Sequence, residues 1–429
     1  MATSLDPQEA GGLIRSRDSV GFGLGPANPH TLFTAFGQRE SYEELVLGGA
    51  LVLGLFELFT RPGVRYRSGF FGPAERFLAA TDAKIELIPA GFRQFAPLLR
   101  QINPRVMVAQ ATPPDEEGYV SLSLHYGATK AELELAARDP ERLLIVETNP
   151  TLPWTYPLAG YDNRLHVDLI DVLVEGDQPA FELPAEEPDD ISAAIAAHAL
   201  EWIEDGCTLQ TGIGAVPSLV ATALAERPGG GYGVHSEMFT DGLMALHKAG
   251  KVTNLSKGIF DGVSVTTFAA GSRALYDWLD HNPEVAFAPV SLVNDQSHIA
   301  ANRKFVSLNG AIMVDLYGQV VADSVDGRQI SGVGGHEDFI AGAELELEDH
   351  SLICMASTVE VNGELRSRIL PALPQGAIVS TPRHHTAVIV TEHGSVDLRG
   401  MSVSERAHAL VEVAHPDFRP ELRASADRL

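Results

Sequence analysis

Short apolar runs alternate with amphipathic stretches along the first third of the chain. Residues 106–109 (VMVA) and 143–146 (LLIV) are short, apolar and partly β-branched, and they predict buried strands. Between them, residues 128–138 (ATKAELELAAR) have the composition and spacing of a helix. A strand, a helix and a second strand in this order predict parallel strands joined by a crossover. Residues 168–174 (DLIDVLV) predict one more strand.

An acidic segment then interrupts the pattern. Residues 175–190 (EGDQPAFELPAEEPDD) contain three prolines and show no apolar period, which is typical of a linker. Asp190 predicts the N-cap of a helix whose body reaches residue 205, with Gly206 just past its end. We therefore predict an α/β domain over 1–178, a linker over 179–190 and a second α/β domain over 191–429.

Composition narrows the possible partners of this 429-residue chain. The formal net charge of −26 argues against nucleic acids and anionic membranes, because both require basic surfaces. No stretch approaches the roughly 20 apolar residues of a membrane helix, and the first twelve residues do not resemble a signal peptide. We therefore expect a cytoplasmic protein. Two cysteines, Cys207 and Cys354, cannot build a disulfide framework and are expected to be small buried side chains.

A glycine-containing turn is predicted at residues 207–217 (CTLQTGIGAVP). A strand ends near Thr211, Gly212 and Gly214 form the turn, and Pro217 takes the first position of a helix. Glycine lets the backbone approach a ligand, and the helix N-terminus offers N–H groups to an anion. An ordinary strand-to-helix turn fits the same residues. The dinucleotide-binding fingerprint does not, because its third small residue is missing.

Glu237 is the first candidate for chemistry. A strand is predicted over 231–234, so Glu237 is expected just past its carboxyl end, where open α/β sheets bind ligands. A carboxylate at that place can act as a base or a nucleophile, although a solvated loop glutamate fits as well. His235 and Ser236 are adjacent on a strand and point to opposite faces, which disfavours a serine hydrolase. Thr240 or Asp241 is expected to cap the helix that follows.

A second glycine-rich loop is predicted at residues 331–339 (SGVGGHEDF), after Asn309 and a strand-like run at 311–316. Such a loop suits N–H donation to an oxyanion or a phosphate, and it also fits a flexible turn. No metal site is predicted. His384 and His385 lack the spacing of helical ligands, and the other histidines show no recognised spacing.

Together these segments resemble the acetyl-CoA hydrolase/transferase family of class I CoA-transferases, which includes 4-hydroxybutyrate and butyrate CoA-transferases. The motifs that carry the resemblance are 210–217 (QTGIGAVP), 235–242 (HSEMFTDG) and 332–339 (GVGGHEDF), with weaker ones at 113–118 (PPDEEG), 314–319 (VDLYGQ), 381–383 (TPR) and 415–419 (HPDFR). They follow the family's order from about residue 8 to residue 423.

The resemblance implies a fold and an activity. It implies two open α/β domains of the CoA-transferase (NagB/RpiA-like) type, with mainly parallel sheets and an active site in the cleft between them. It implies an acyl-CoA:carboxylate CoA-transferase that works by a ping-pong cycle through an acyl-glutamyl anhydride and a glutamyl-CoA thioester. Short-chain acids such as acetate, butyrate or 4-hydroxybutyrate are the expected substrates, with acetyl-CoA as donor. Coenzyme A and acyl-CoA are the expected substrates, and no permanently bound cofactor is expected. The resemblance also implies a homodimer or a larger homo-oligomer.

The family's functional residues are carried over by position. Glu237 corresponds to the family's nucleophile. The residues expected to line the CoA site and the oxyanion site are Gln210, Gly212, Ile213, Gly214, Ala215, Val216, Asn309, Gly334 and Gly335. His336 stands where the family usually has glutamine, which puts in doubt any role of that glutamine side chain but not the backbone donors.

Three other functions are weighed against CoA transfer. Net hydrolysis of acetyl-CoA by the same glutamate stays open, because water can replace the acceptor acid. A phosphosugar isomerase shares a related sheet architecture but needs basic residues in the glycine loops, and neither loop has one. A non-catalytic CoA-binding protein should lack the nucleophile, which this chain has.

Overall fold

The computed structural model describes residues 2–184 and 186–429. The chain forms two compact units, one of Met1–Leu183 with Val265–Val293 and one of Pro184–Ser264 with Asn294–Leu429. The chain first passes from one unit to the other inside the segment predicted as a linker. Residues 265–293 group with the first unit, although they fall within the second domain predicted over 191–429.

Strands and helices alternate through most of the chain. The strands are β1 (Thr3–Ser4), β2 (Arg17–Phe22), β3 (Glu44–Gly49), β4 (Val64–Ser68), β5 (Lys84–Leu87), β6 (Val106–Ala111), β7 (Tyr119–Ser121), β8 (Leu143–Thr148), β9 (Tyr156–Pro157), β10 (Arg164–His166), β11 (Val172–Glu175), β12 (Thr208–Thr211), β13 (Gly233–Phe239), β14 (Ser264–Ala269), β15 (Val285–Phe287), β16 (Phe305–Gly310), β17 (Met313–Asp315), β18 (Val320–Val321), β19 (Ser324–Val325), β20 (Arg328–Gln329), β21 (His350–Cys354), β22 (Thr358–Val361), β23 (Glu364–Ser367), β24 (Ile369–Leu370), β25 (Val388–Thr391) and β26 (Gly394–Asp397). The helices are α1 (Pro7–Gly12), α2 (His30–Gly37), α3 (Pro73–Ala79), α4 (Phe95–Ile102), α5 (Lys130–Arg138), α6 (Asp190–Leu200), α7 (Ala215–Glu226), α8 (Asp241–Lys248), α9 (Arg273–Leu279), α10 (Val290–Val293), α11 (Gln296–Ala300), α12 (His336–Ala343), α13 (Val403–Glu412) and α14 (Arg419–Ala426).

The first unit is built on a parallel sheet with the strand order β1-β11-β8-β6-β2-β3-β4-β5. All six residues of β6 are buried, because a central parallel strand is covered on both faces. This explains why residues 106–109 read as a continuous apolar run. An aromatic group that includes Phe22, Phe33 and Phe59 fills the core on one side of the sheet. In the same unit, β14, β15 and β9 lie side by side in that order.

The second unit has its own sheet, in the order β26-β25-β21-β16-β12-β13. Its pairs are parallel except for β25 and β26, which are antiparallel. Helices α13 and α14 pack on a core that includes Leu316, Ile353 and Ile389. The predicted fold class, α/β with mainly parallel sheets, is confirmed.

Several predicted elements appear with shifted boundaries. The strand predicted over 168–174 is wrong in its first half, where Val167–Leu169 form a 3₁₀ turn before β11. Helix α6 starts one residue early, because the side chain of Asp189, rather than Asp190, accepts a hydrogen bond from Ser192 N–H. It also ends at Leu200, and main-chain bonds between residues three apart continue to Ile203.

Candidate active site

Glu237 lies inside a strand rather than after one. β13 runs from Gly233 to Phe239, so the predicted strand end at residue 234 is wrong by five residues. The two residues before Glu237 are buried: His235 stacks on Phe260, and the Ser236 hydroxyl bonds to main-chain atoms of Thr211 and Met238. Glu237 itself is half-buried near the carboxyl end of the strand.

Asn294 holds the carboxylate of Glu237. Its Nδ2 donates a hydrogen bond of 2.6 Å to Glu237 Oε2, and the same nitrogen lies 3.3 Å from Asp338 Oδ2. Asn294 follows helix α10 and is fully buried, while Asp338 is the third residue of α12. Since an amide NH₂ group has two hydrogens, it can donate one to each carboxylate. The Asn294 Oδ1 atom is buried and has no hydrogen-bond partner among the described residues.

Gly335 brings the N-terminus of α12 against the same carboxylate. A Cβ atom built on Gly335 would lie 1.9 Å from Glu237 Oε2 and 2.4 Å from Asn294 Nδ2, so no side chain fits there. Gly334, with φ of +55°, turns the chain into the helix through a left-handed conformation. The second glycine-rich loop therefore ends at Gly335, and the predicted loop residues that follow form helix α12.

The surroundings of Glu237 make its carboxyl group hard to ionise. Burial and the nearby negative charge of Asp338 raise the pKa of Glu237 to about 7, while the hydrogen bond from Asn294 opposes the rise. A carboxylate with a pKa near neutrality is more basic than an ordinary glutamate and is still substantially ionised at pH 7. This combination suits a group that must attack a carbonyl carbon.

The first glycine loop follows the neighbouring strand. β12 pairs in parallel with β13 and ends at Thr211, so the turn leaves the sheet at the same edge as Glu237. Gly214 has φ of +118°, and Ile213 is 55% exposed. Helix α7 begins at Ala215, so the prediction that Pro217 takes the first helical position is wrong by two residues.

Three further predicted residues lie on or beside this loop and the next strand. Gln210 is buried in β12, and its Oε1 atom has no partner among the described residues. Val216 is the second residue of α7. Asn309, near the end of β16, donates from Nδ2 to the Ser307 hydroxyl at 2.9 Å. The structure thus brings Gly335 into contact with Glu237. It places Gln210 and Gly212 on or just after β12, the strand that pairs with β13, and Asn309 on β16, the next strand of the same sheet.

His336 takes part in a chain of hydrogen bonds next to the site. Its Nε2 atom lies 2.9 Å from Thr381 Oγ1, and that hydroxyl donates to Glu337 Oε2 at 2.9 Å. Because the single hydroxyl hydrogen goes to the carboxylate, Nε2 of His336 must carry the hydrogen of the other bond. Burial lowers the pKa of His336 to about 4, so the ring is neutral. Glu337 also bonds to His385.

Sequence reasoning missed Asn294 and Asp338. Asp338 lies within the motif 332–339. The pattern that could have indicated it is a carboxylate in the first turn of a helix that follows two glycines. Asn294 offered no local signal. Among residues 2–184 and 186–429, no three or more histidine, cysteine, aspartate or glutamate side chains are grouped so that they could hold a metal ion. Within the same residues, no helix has both the length and the apolar character needed to cross a membrane.

Comparisons with known proteins agree on one family. Residues 271–426 match the acetyl-CoA hydrolase/transferase C-terminal domain. The chain is 34% identical to a butyryl-CoA:acetate CoA-transferase of Anaerostipes caccae, over 98% of this chain and 95% of the relative. It is 36% identical to a 4-hydroxybutyrate coenzyme A transferase of Clostridium kluyveri, over 95% of this chain and 94% of the relative. The crystal structure of RipA from Yersinia pestis superposes with a TM-score of 0.89 at 30% identity, covering 99% of this chain and 97% of RipA.

Proposed function

This chain belongs to the acetyl-CoA hydrolase/transferase family and is a CoA-transferase, and from that premise we propose that it moves coenzyme A between short-chain carboxylic acids by way of Glu237. Acetyl-CoA is the proposed donor, and acetate, butyrate and 4-hydroxybutyrate are the proposed acids. The observation that carries the proposal is the setting of Glu237, which Asn294 holds by a hydrogen bond and Gly335 approaches without a side chain.

The first half-reaction forms two covalent intermediates in turn. A carboxylate oxygen of Glu237 adds to the thioester carbonyl carbon, and the C–S bond breaks to give an acyl-glutamyl anhydride and CoA thiolate. The thiolate then adds to the glutamyl carbonyl carbon. The anhydride C–O bond breaks, which releases the first acid as a carboxylate and leaves glutamyl-CoA.

The second half-reaction runs the same steps backward with a new acid. Its carboxylate adds to the glutamyl carbonyl of glutamyl-CoA and expels the thiolate, giving a new anhydride. The thiolate then adds to the acyl carbonyl of that anhydride, which forms the new acyl-CoA and returns Glu237 as a carboxylate. Each step forms one bond and breaks one, and no net proton or electron is required.

Backbone donors would stabilise the tetrahedral intermediates. The N–H groups at Gly214–Ala215 and at Gly334–Gly335 are the proposed donors, since both loops lie in the second unit beside elements that frame Glu237. One such donor lowers a barrier by about 3 kcal/mol. The CoA moiety supplies binding energy far from the reacting carbon, and this energy can offset unfavourable steps at the site.

Trapping the glutamyl-CoA thioester tests the proposal. The enzyme is incubated with acetyl-CoA, reduced with borohydride and digested for peptide mass analysis. We expect the reduced residue to be Glu237, and we expect Glu237→Gln to lose at least about a thousandfold in transfer activity. Modification of another residue, or normal transfer by the Glu237→Gln enzyme, would disprove the mechanism.

Water is the second candidate acceptor, because the matched family joins hydrolases with transferases. Attack by water on glutamyl-CoA would release coenzyme A without making a new thioester. Measuring the release of coenzyme A from acetyl-CoA, with and without added butyrate, separates the two. For a transferase, the rate of new acyl-CoA formation should exceed the rate of free coenzyme A release when butyrate is saturating.

A further inference from the structure

The acidic segment that precedes α6 touches the first glycine loop. The Ala215 N–H group donates a hydrogen bond of 3.1 Å to Oε2 of Glu186. We propose that residues 186–189, here called the strap, form an autoinhibitory contact in which the Glu186 carboxylate competes with substrate for the N-terminus of α7. This inference rests on the proposed function, because it requires that substrate bind at the Gly214–Ala215 turn.

The contact occupies a group that the helix leaves free. Ala215 is the first residue of α7, a helix of 12 residues, and the N–H groups of a first turn have no acceptor within the helix. A Cβ built on Gly214 would lie 3.6 Å from Glu186 Oε2, so the carboxylate rests directly against the turn. A carboxylate is favoured at this end of a helix by the helix dipole.

Hydrogen bonds fix the chain shortly before the strap and at the last residue of the strap, and few bonds form between these two points. Before it, Leu183 N–H donates to the Gly271 carbonyl at 3.0 Å within the first unit. At its end, Asp189 caps α6 through the 2.7 Å bond from Ser192 N–H within the second unit. The bond from Ala215 is the one hydrogen bond that residues 186–188 make to the described part of the chain. Glu186 is exposed, so the contact can open without unpacking a core.

The turn offers other groups that suit a ligand. Among the described residues, the buried Gln210 Oε1 atom has no partner, and a Cβ added to Gly212 would meet no atom within 4 Å. Ile213, an apolar residue, is 55% exposed. Beside these groups, the Ala215 N–H group donates to the carboxylate of Glu186. A negatively charged oxygen of the substrate has the same chemistry as Glu186, so the two exclude each other at that N–H.

The expected size of the effect follows from competition. When only the open fraction of the enzyme binds ligand, the apparent dissociation constant is the intrinsic one divided by that fraction. A contact that is closed nine-tenths of the time therefore weakens apparent binding roughly tenfold. Removing the carboxylate should restore that affinity and leave the chemical step alone.

Calorimetry on a variant that cannot turn over tests the strap. In a Glu237→Gln background, acetyl-CoA, free CoA and acetate are titrated separately into the enzyme with and without Glu186→Ala. The oxygen that displaces Glu186 belongs to the thioester carbonyl, to a phosphate of CoA or to the carboxylate of the free acid. Tighter binding of acetyl-CoA alone, of both acetyl-CoA and CoA, or of acetate identifies which. We expect that affinity to rise roughly three- to tenfold. In the enzyme with Glu237 intact, Glu186→Ala should lower KM for the same ligand with kcat unchanged.

Glu187→Ala is the matched control, because it removes the same charge from the adjacent exposed residue of the strap. Unchanged or weaker binding by Glu186→Ala, or equal tightening by Glu187→Ala, would overturn the inference and leave the proposed function standing. Failure of acetyl-CoA to bind any of these enzymes would overturn both. If Glu186→Ala lowers the melting temperature, Glu186→Gln replaces it, and tighter binding is again required.

Discussion

Glu237 and Asp338 share one hydrogen-bond donor, the side-chain nitrogen of Asn294, which lies 2.6 Å from the first carboxylate and 3.3 Å from the second. A single neutral amide thus holds two acidic groups near each other in a buried place. Two such groups resist ionising together, so the charge on Asp338 is felt at Glu237. The charge state of the proposed nucleophile therefore depends on two residues that do not react themselves.

Replacing Asp338 by asparagine should shift the pH dependence of the enzyme. Its negative charge raises the pKa of Glu237, so its removal favours the ionised form and lowers that pKa. Since transfer needs ionised Glu237, the acid limb of kcat/KM should move to lower pH. Glu337→Gln removes a neighbouring charge and should move the limb less. An acid limb that stays in place or moves to higher pH in Asp338→Asn would contradict this account.

Asn294→Ala should have the opposite effect on the acid limb. The hydrogen bond from Asn294 lowers the pKa of Glu237, so its loss should raise that pKa and move the limb to higher pH. The carboxylate also loses its fixed position, and we expect kcat/KM to fall roughly 10- to 100-fold. Asn302→Ala is the control, because Asn302 is also buried and its side-chain nitrogen donates to main-chain carbonyls of α11. A similar pH shift in both variants would mean that the effect is not local.

Gly335→Ala should abolish most activity without unfolding the protein. The new methyl group would lie 1.9 Å from Glu237 Oε2, so either the carboxylate or the start of α12 must move. A displacement of about 1 Å at a reacting group can cost roughly a hundredfold in rate. Gly310→Ala adds the same methyl group at a place where no atom of the described residues lies within 4 Å, and it should be nearly neutral. Steady-state kinetics and melting temperatures of both variants check this.

Lys257 should make stability depend on pH. Its side chain is fully buried, its amino group donates to the Val263 carbonyl at 2.8 Å, and burial lowers its pKa from 10.5 to about 7. Between pH 7 and 10.5 the unfolded chain therefore binds more protons than the folded one, and stability contributed by this group rises with pH. The free energy of unfolding of Lys257→Met should exceed that of the parent protein by the largest amount at pH 6 to 7. This difference should narrow toward about pH 9. Urea unfolding at several pH values measures it, and a gap independent of pH would refute the prediction.

The buried parallel strands could be predicted from the sequence, since a strand covered on both faces reads as a continuous apolar run, as β6 does. Helix starts were less predictable. α7 begins two residues before the expected position, at the residue after Gly214, which adopts φ of +118°. Pro217 is tolerated in the first turn because N–H groups there have no acceptor within the helix, so the missing N–H of proline breaks no bond. Strand ends were unreliable too, and β13 continues through Glu237.

The partners of Glu237 could not be found from local patterns. Asn294 lies 57 residues from Glu237 along the chain, and Asp338 lies a further 44 residues on. Their meeting depends on how β13, α12 and the residue after α10 pack, which no short motif records. Gly335 was found because its glycine loop carries a family motif. The steric reason for that glycine became evident only with the position of the Glu237 carboxylate.

The membership of Val265–Val293 in the first unit has a consequence for how the chain folds during synthesis. Domains generally fold as whole units, and the N-terminal one usually folds first as the ribosome extends the chain. Here the first unit lacks α9 and β15 until residues 265–293 have been made, after Glu237 itself has been added. The first unit therefore cannot finish folding until residues 184–264 of the second unit have been made, and a chain cut after Leu183 would be an unfinished unit.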